Sequence, residues 1–236
     1  MIPKTIHYCW FGGKELPKSA RKYMRTWAKH LPDYKVVEWN ESNFDINMLP
    51  FTREAYAQKK YAFVSDYVRL YALYHHGGIY FDTDVEVLKS FDDLLDAPGF
   101  IGYDSDDCLG TAVMAAEAGN KLIGQFLEHY QQRHFDDKNI IPNTKVLSQI
   151  LREHGVVLDN TFCNVDNALY LYPIDYFIVK TFEDFRMHQT ENSYSIHHYE
   201  ASWFSLFGRL RLKVLKNIGQ NGRDTYHTIA HFLKGH

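Results

Sequence analysis

Asp82 and Asp84 stand two residues apart at the end of the apolar run Gly77-Gly78-Ile79-Tyr80-Phe81. If that run is a strand that carries on through them, residues i and i+2 face the same side, and both carboxylates can reach one cation. Hard divalent ions such as Mn²⁺ and Mg²⁺ take oxygen ligands and often keep water or phosphate in their other positions. The spacing alone is unspecific, because the chain carries 29 Asp and Glu and has a second D-x-D at Asp104-Ser105-Asp106. Context separates the two. The first pair ends an apolar strand, at the edge where open α/β sheets bind ligands, whereas the second sits in a polar turn. Upstream, Asp66 and Arg69 are three apart and so are neighbours on one helical face. They are either a surface ion pair worth a few tenths of a kcal/mol or a pair aimed at the site, with Asp accepting from hydroxyls and Arg offering a planar donor fork.

The elements that must position these groups follow from the pattern. Ile6 to Phe11 is a β-prone aromatic run closed by Gly12-Gly13. Residues 19–30 carry Tyr23, Trp27 and Leu31 four apart, which predicts an amphipathic helix. Residues 34–39 read as a second strand. Thr52 to His76 is the longest helical stretch, with Ala57, Tyr61, Val64, Val68 and Tyr71 on its expected core face and Gly77-Gly78 as its stop. Strands follow at 79–81, 99–103, 111–116, 156–158 and 194–198, and helices at 121–134 and 144–154. This alternation predicts an α/β fold with a central, mainly parallel sheet flanked by helices. The expected division is a single domain over 1–205 and a helical tail over 206–236 packed on it.

Composition narrows the class. A chain of 236 residues with 45% hydrophobic residues has enough apolar material for a packed core. A net charge of −3 argues against a nucleic-acid partner, which needs a concentrated basic surface. Three scattered cysteines, Cys9, Cys108 and Cys163, are not a disulfide framework and point to a reducing compartment. The N-terminus lacks a signal-peptide pattern, and no run approaches the length of a membrane span. The expected location is cytoplasmic. The tail mixes Leu, Phe and Val with Arg209, Arg211, Lys213 and Lys216, so it reads either as a packed helix or as a basic amphipathic helix touching the inner face of a membrane. The 17 Tyr, 16 Phe and 4 Trp fit equally an aromatic core or a stacking site.

Four segments in order, Ile6 to Gly13, Ser65-Asp66-Tyr67-Val68-Arg69, Gly77 to Asp84, and Ile196-His197-His198-Tyr199-Glu200-Ala201-Ser202-Trp203, resemble the D-x-D sugar-nucleotide transferases of glycosyltransferase family 32. That family includes initiation-specific mannosyltransferase-like proteins and capsular polysaccharide transferases. The glucosylating domain of large clostridial toxins is a more distant likeness. The resemblance implies a GT-A fold, a nucleotide-sugar donor, a Mn²⁺ (or Mg²⁺) cofactor and a glycan or lipid-linked acceptor in surface polysaccharide synthesis. It implies that Trp10 stacks on the base, that Asp66 and Arg69 contact the donor sugar, and that Tyr80 and Trp203 lie near nucleotide, diphosphate or sugar. Asp84 would bind the metal, with Asp82 on ribose or metal-bound water. His197 would complete the metal site, with Ser202 and Glu200 competing for the role and His198 as second choice. Neutral imidazole is a common metal ligand, and strand alternation points only one of the two histidines inward. Taken without the resemblance, Trp10 reads equally as a core residue or a contact, Tyr80 as a core residue, and the histidines as surface or core residues at a strand end.

The chemistry implied is transfer from a nucleoside diphosphate sugar, with a UDP-sugar as the expected donor. Charge builds on the departing diphosphate, where a fixed cation stabilises it. Family members retain anomeric configuration, so the leaving phosphate oxygen serves as base and no dedicated catalytic base is named. The loop around Asp104 would border the acceptor. Two other readings compete: a metal-dependent phosphohydrolase built on Asp82 and Asp84, and a sugar-binding module without turnover.

Overall fold

Apolar residues alternate along each central strand and so divide the core into two layers, one on each face of the sheet. On β3, Ile79 and Phe81 enter one layer and Tyr80 the other. On β5, Phe100 goes one way and Ile101 and Tyr103 the other. The computed structural model describes residues 1–180 and 187–200. Ser202, Trp203 and the expected tail over 206–236 lie outside the described residues.

Within them the order is β1 (Thr5–Cys9), α1 (Lys18–His30), β2 (Lys35–Trp39), α2 (Pro50–Ala57), α3 (Tyr61–His76), β3 (Gly78–Phe81), β4 (Val85–Val87), β5 (Gly99–Ser105), β6 (Cys108–Ala116), α4 (Lys121–Glu128), α5 (Asn143–Glu153), β7 (Cys163–Val165), β8 (Leu169–Tyr172), α6 (Ile174–Phe177) and β9 (Ser195–His197). The main sheet has seven strands in the order β2-β1-β3-β6-β5-β8-β7, and β4 pairs with β9 in a small second sheet. β1 pairs in parallel with β2 and β3, and β5 with β8, while β6 and β7 run antiparallel to their neighbours. The sheet is therefore mostly parallel in direction, with β6 and β7 reversed. Helices α2 to α5 contribute to the first core layer, and Trp27 of α1 to the second.

Several expected elements shift. The long helix over 52–76 is two helices. Lys59 takes φ 58°, and Lys60 N–H donates to Ala55 O at 2.9 Å, closing α2 before α3 starts at Tyr61. Ala57 is therefore exposed, and α3 buries Phe63, Tyr67 and Leu70 beside Val64 and Val68. The α4 helix stops at Glu128, well short of His134, and residues 156–158 form no strand. Strands β4, β7 and β8 have too few residues to carry a periodicity of their own.

One reversal orients the site. α3 ends at Gly77, whose φ is 63° and where a Cβ would lie 2.8 Å from Ala118 N and 2.9 Å from Pro3 Cδ. Gly78 follows at φ 114°, with room for no Cβ against Thr5 O at 2.5 Å. Two glycines in this left-handed region let the chain turn straight from α3 into β3 beside β1. α3 then runs back along the sheet, so its N-terminal half, with Ser65, Asp66 and Arg69, lies at the C-terminal end of β3.

Candidate active site

Trp10 just past β1, Asp82 just past β3, the end of β5 at Asp104 and the start of β6 all fall at one edge of the sheet. The chain leaves the line of β3 after Asp82, so that Asp84 is not an extended residue. The Asp82 N–H donates to Ala112 O at 2.8 Å and its carbonyl accepts from Val85 N–H at 3.0 Å, making a turn between β3 and β4. The two carboxylates converge through that turn instead of through strand alternation, which corrects the geometry inferred from spacing.

β9 brings in the third group. It pairs antiparallel with β4, with Val85 opposite His197. His197 Nε2 lies 3.3 Å from Asp84 Oδ1, and one ligand atom each from Asp82, Asp84 and His197 fall within 4.8 Å of one another. All three side chains are partly exposed, so an ion can reach them. The Glu200 N–H donates to Asp84 Oδ2 at 2.8 Å, and His198 N–H to Asp84 O at 3.0 Å. Burial opposes ionisation of Asp84, but the His197 ring and the backbone donors hold its carboxyl down to about 2. Burial also disfavours a charge on His197, while Asp84, Asp82 and Asp104 raise its basicity overall. Nδ1 of His197 is buried with no hydrogen-bond partner among the described residues. Two carboxylates and an imidazole suit a hard or borderline divalent cation such as Mg²⁺ or Mn²⁺.

The neighbouring residues divide clearly. His198 turns away: Nε2 lies 2.8 Å from Glu86 Oε2, and the ring stacks on Tyr23 at 4.3 Å. The Glu200 carboxylate accepts from Tyr23 OH at 3.2 Å and stands apart from the three-residue cluster. Tyr199 donates to Asp104, which ties the second D-x-D to the end of β9.

Behind the cluster is a buried cation. Arg69, 5% exposed, places Nη2 at 3.1 Å from Asp66 Oδ1 and 3.4 Å from Asp82 Oδ1. Its Nη1 donates to Thr111 O at 2.6 Å and its Nε to Ser65 O at 3.2 Å. The guanidinium carbon sits 4.6 Å from the centre of the Tyr80 ring, and Tyr80 OH donates to Asp82 Oδ1 at 2.8 Å. Asp66 and Arg69 are thus no surface pair. Burial pushes the Asp66 carboxyl up to about 7, with Arg69 opposing and Asp82 adding to the rise. Trp10 is half-buried, with Nε1 donating to Lys14 O at 2.5 Å.

Sequence reasoning missed Asn143 at the start of α5. Its Nδ2 donates to Asp66 Oδ1 at 2.7 Å, and its Oδ1 accepts from Thr111 Oγ1 at 3.1 Å. Nothing in Pro142-Asn143-Thr144 points to such a partner, because the contact joins elements distant in sequence. Cys9 lies buried near Arg69, Asp82 and Tyr80, and burial pushes its thiol up to about 12.

Residues 17–101 match the family described as "Glycosyltransferase sugar-binding region containing DXD motif". The match takes in Asp66, Arg69, Tyr80, Asp82 and Asp84 and leaves out Trp10 and His197. The chain is 28% identical over 139 residues to inositol phosphoceramide mannosyltransferase 3 of Schizosaccharomyces pombe, covering 57% of this chain and 39% of that one. It is 32% identical over 102 residues to the initiation-specific alpha-1,6-mannosyltransferase of Candida albicans, covering 39% of this chain and 26% of that one. The chain therefore spans well under half the length of these curated relatives. Its fold is similar to that of the PaToxG glycosyltransferase, with a TM-score of 0.52 at 23% identity over 65% of this chain and 70% of that one. Among the described residues no helix is long and apolar enough to cross a membrane.

Proposed function

We propose that this chain moves a sugar from a nucleoside diphosphate sugar to an acceptor hydroxyl, with a divalent cation and with retention of anomeric configuration. The convergence of Asp82, Asp84 and His197 within 4.8 Å, backed by a buried Arg69, carries this reading. Asp84 and His197 would hold the cation, Mn²⁺ or Mg²⁺. Asp82, fixed by Tyr80 and Arg69, would face ribose or a metal-bound water. When bound, the cation supplies positive charge where the diphosphate departs.

The chain's own groups do the positioning. Asp66 and Arg69 would contact the donor sugar, Arg69 keeping its charge at any working pH. Tyr80 acts through Asp82, since its ring is buried beneath the guanidinium. Trp10 shares the sheet edge with Asp82 and would take the base. By the resemblance, Trp203 would contact diphosphate or sugar and Ser202 would compete with His197 as metal ligand. No side chain is assigned as base. The leaving phosphate oxygen would take the acceptor proton, and orientation of the two reactants supplies much of the rate.

A UDP-sugar is the donor expected from the resemblance. GDP-mannose belongs beside it in any test, because two relatives bear the name mannosyltransferase. The acceptor would be a glycan or a lipid-linked oligosaccharide in surface polysaccharide synthesis. Thermal unfolding with a panel of UDP- and GDP-sugars, with and without Mn²⁺, tests the reading. A ligand of the folded state raises stability by RT ln(1 + [L]/Kd). A Mn²⁺-dependent rise that Asp84→Ala abolishes is expected, and no rise with any donor would overturn it.

A further inference from the structure

Two cavities meet at the segment joining α4 to α5. The smaller, about 130 Å³, is lined by Asp66 of the site and by Arg133 and Ile141. The larger, about 580 Å³, shares Arg133 and Ile141 and continues past Lys145 and Ile150 on α5 to Cys108 at the start of β6. The two cavities adjoin at Arg133 and Ile141, and Asp66 lines the smaller one.

Most charges along them are already matched. Asp66 pairs with Arg69, His134 with Glu54 and Arg152 with Asp107. Asp136 accepts from Lys138 N–H and Asn139 Nδ2 in its own turn. Arg133 has no carboxylate partner among the described residues. Its Nη1 lies 3.0 Å from His129 Nε2, and its guanidinium 5.8 Å from the Tyr130 ring. Burial and the neighbouring Arg133 both lower the basicity of His129, which leaves its ring neutral and able to accept from Arg133. Lys145 is exposed, and its ammonium group has no hydrogen bond or ion pair among the described residues. Glu153 is the carboxylate left to oppose these two cations, and Gln149 Nε2 donates to it at 3.0 Å. The larger cavity has an apolar part. Ile141 is 55% exposed, and Val146 and Ile150 line the same cavity. An exposed aliphatic side chain in one cavity with two cations, neither in an ion pair among the described residues, suits a ligand with both an anionic and an apolar part.

We propose that these cavities seat the acceptor, that Arg133 and Lys145 bind a phosphate group on it, and that Ile141, Val146 and Ile150 receive an adjoining apolar portion. The proposal rests on the glycosyltransferase reading for the part lined by Asp66, where the acceptor hydroxyl would meet the donor. The anion is distinct from the donor diphosphate, which the metal cluster would hold.

Octyl phosphate and octyl β-glucoside, both below their micelle concentrations, are suitable probes: they share one tail and differ in head-group charge. Titration of the full chain by calorimetry, with inorganic phosphate as a third probe and UDP with Mn²⁺ measured in parallel, separates the arms. Octyl phosphate is expected to bind more tightly than octyl glucoside or inorganic phosphate. Arg133→Ala and Lys145→Ala should each weaken it roughly tenfold, Lys145→Arg should preserve it, and all three should leave UDP–Mn²⁺ binding unchanged. Equal affinity for the two octyl probes, equal affinity for inorganic phosphate, or no effect of either alanine variant would overturn the proposal. If UDP–Mn²⁺ fails to bind while octyl phosphate behaves as expected, the donor reading falls and the phosphate site stands.

Discussion

His197 Nε2 lies 3.3 Å from Asp84 Oδ1, and the pairing of Val85 with His197 across β4 and β9 holds the two together. The D-x-D turn and the strand that completes it are therefore one unit, each needing the other for its position. The Glu200 N–H on the second Asp84 oxygen strengthens the tie.

If that unit holds the cation, Asp84→Ala and His197→Ala should each abolish Mn²⁺-dependent thermal stabilisation by a nucleotide sugar. Transfer activity should fall roughly 10²-fold or more, as when one charge-stabilising group is removed from a preorganised site. His198→Ala is the contrasting variant, since its ring faces Glu86 and Tyr23. Retention of metal-dependent stabilisation there, read by thermal unfolding, separates the two histidines.

Arg69 is the cation that allows Asp66 and Asp82 to sit together in the interior. Arg69→Met keeps the volume and leaves two carboxylates without it, which should cost about 3–5 kcal/mol of stability. Urea unfolding measures this directly. Tyr80→Phe is milder: it removes one hydrogen bond to Asp82 and keeps the ring under the guanidinium, so about 1–3 kcal/mol is expected.

Two buried groups make stability depend on pH in opposite directions. His7 donates from Nε2 to Gly77 O at 2.8 Å and accepts at Nδ1 from Trp39 Nε1 at 3.1 Å, which requires the neutral ring. Burial lowers its pKa from 6.5 to about 4. The unfolded chain then binds more protons between those values, so the His7 contribution is lost as pH falls from 6.5 towards 4. Asp66, raised from 3.8 to about 7, binds its proton more tightly when folded, so its contribution falls as pH rises through that window. His7→Gln should leave a profile that declines with rising pH relative to the parent chain. Asp66→Asn should leave one that climbs. Urea midpoints between pH 4 and 7 read both slopes.

The Gly77 reversal predicts a backbone-specific defect. Gly77→Ala sets a Cβ 2.8 Å from Ala118 N in a left-handed conformation and should destabilise by about 1–3 kcal/mol. Thermal unfolding of the variant beside Gly119→Ala is informative, because Gly119 also has positive φ but has nothing within 4 Å of its Cβ position. The second variant should lose less.

The alternation of strands and helices, the Gly77-Gly78 stop and the order of motifs were legible in the chain because they rest on local periodicity and turn chemistry. The break between α2 and α3 was not. Helix-forming residues run through it, and the left-handed backbone at Lys59 breaks the chain so that Phe51 and Ala55 of α2 reach the same core layer as Phe63 and Tyr67 of α3. Strands β4, β7 and β8 were silent for a related reason, since three or four residues become a strand only when a partner supplies the ladder.

By itself the sequence determined the residue types at the site. Asp82 and Asp84 follow an apolar strand, Asp66 and Arg69 share a helical face, and a histidine pair ends a later strand. Tertiary structure alone decided which of these meet. Pairing of β4 with β9 sends His197 to Asp84, and His198, just past β9, turns to Glu86. Packing of α5 against β6 brings Asn143 to Asp66, and burial turns an ordinary i,i+3 pair into the charged centre behind the D-x-D. Contacts between distant segments depend on how the whole chain packs, and no local spacing encodes that.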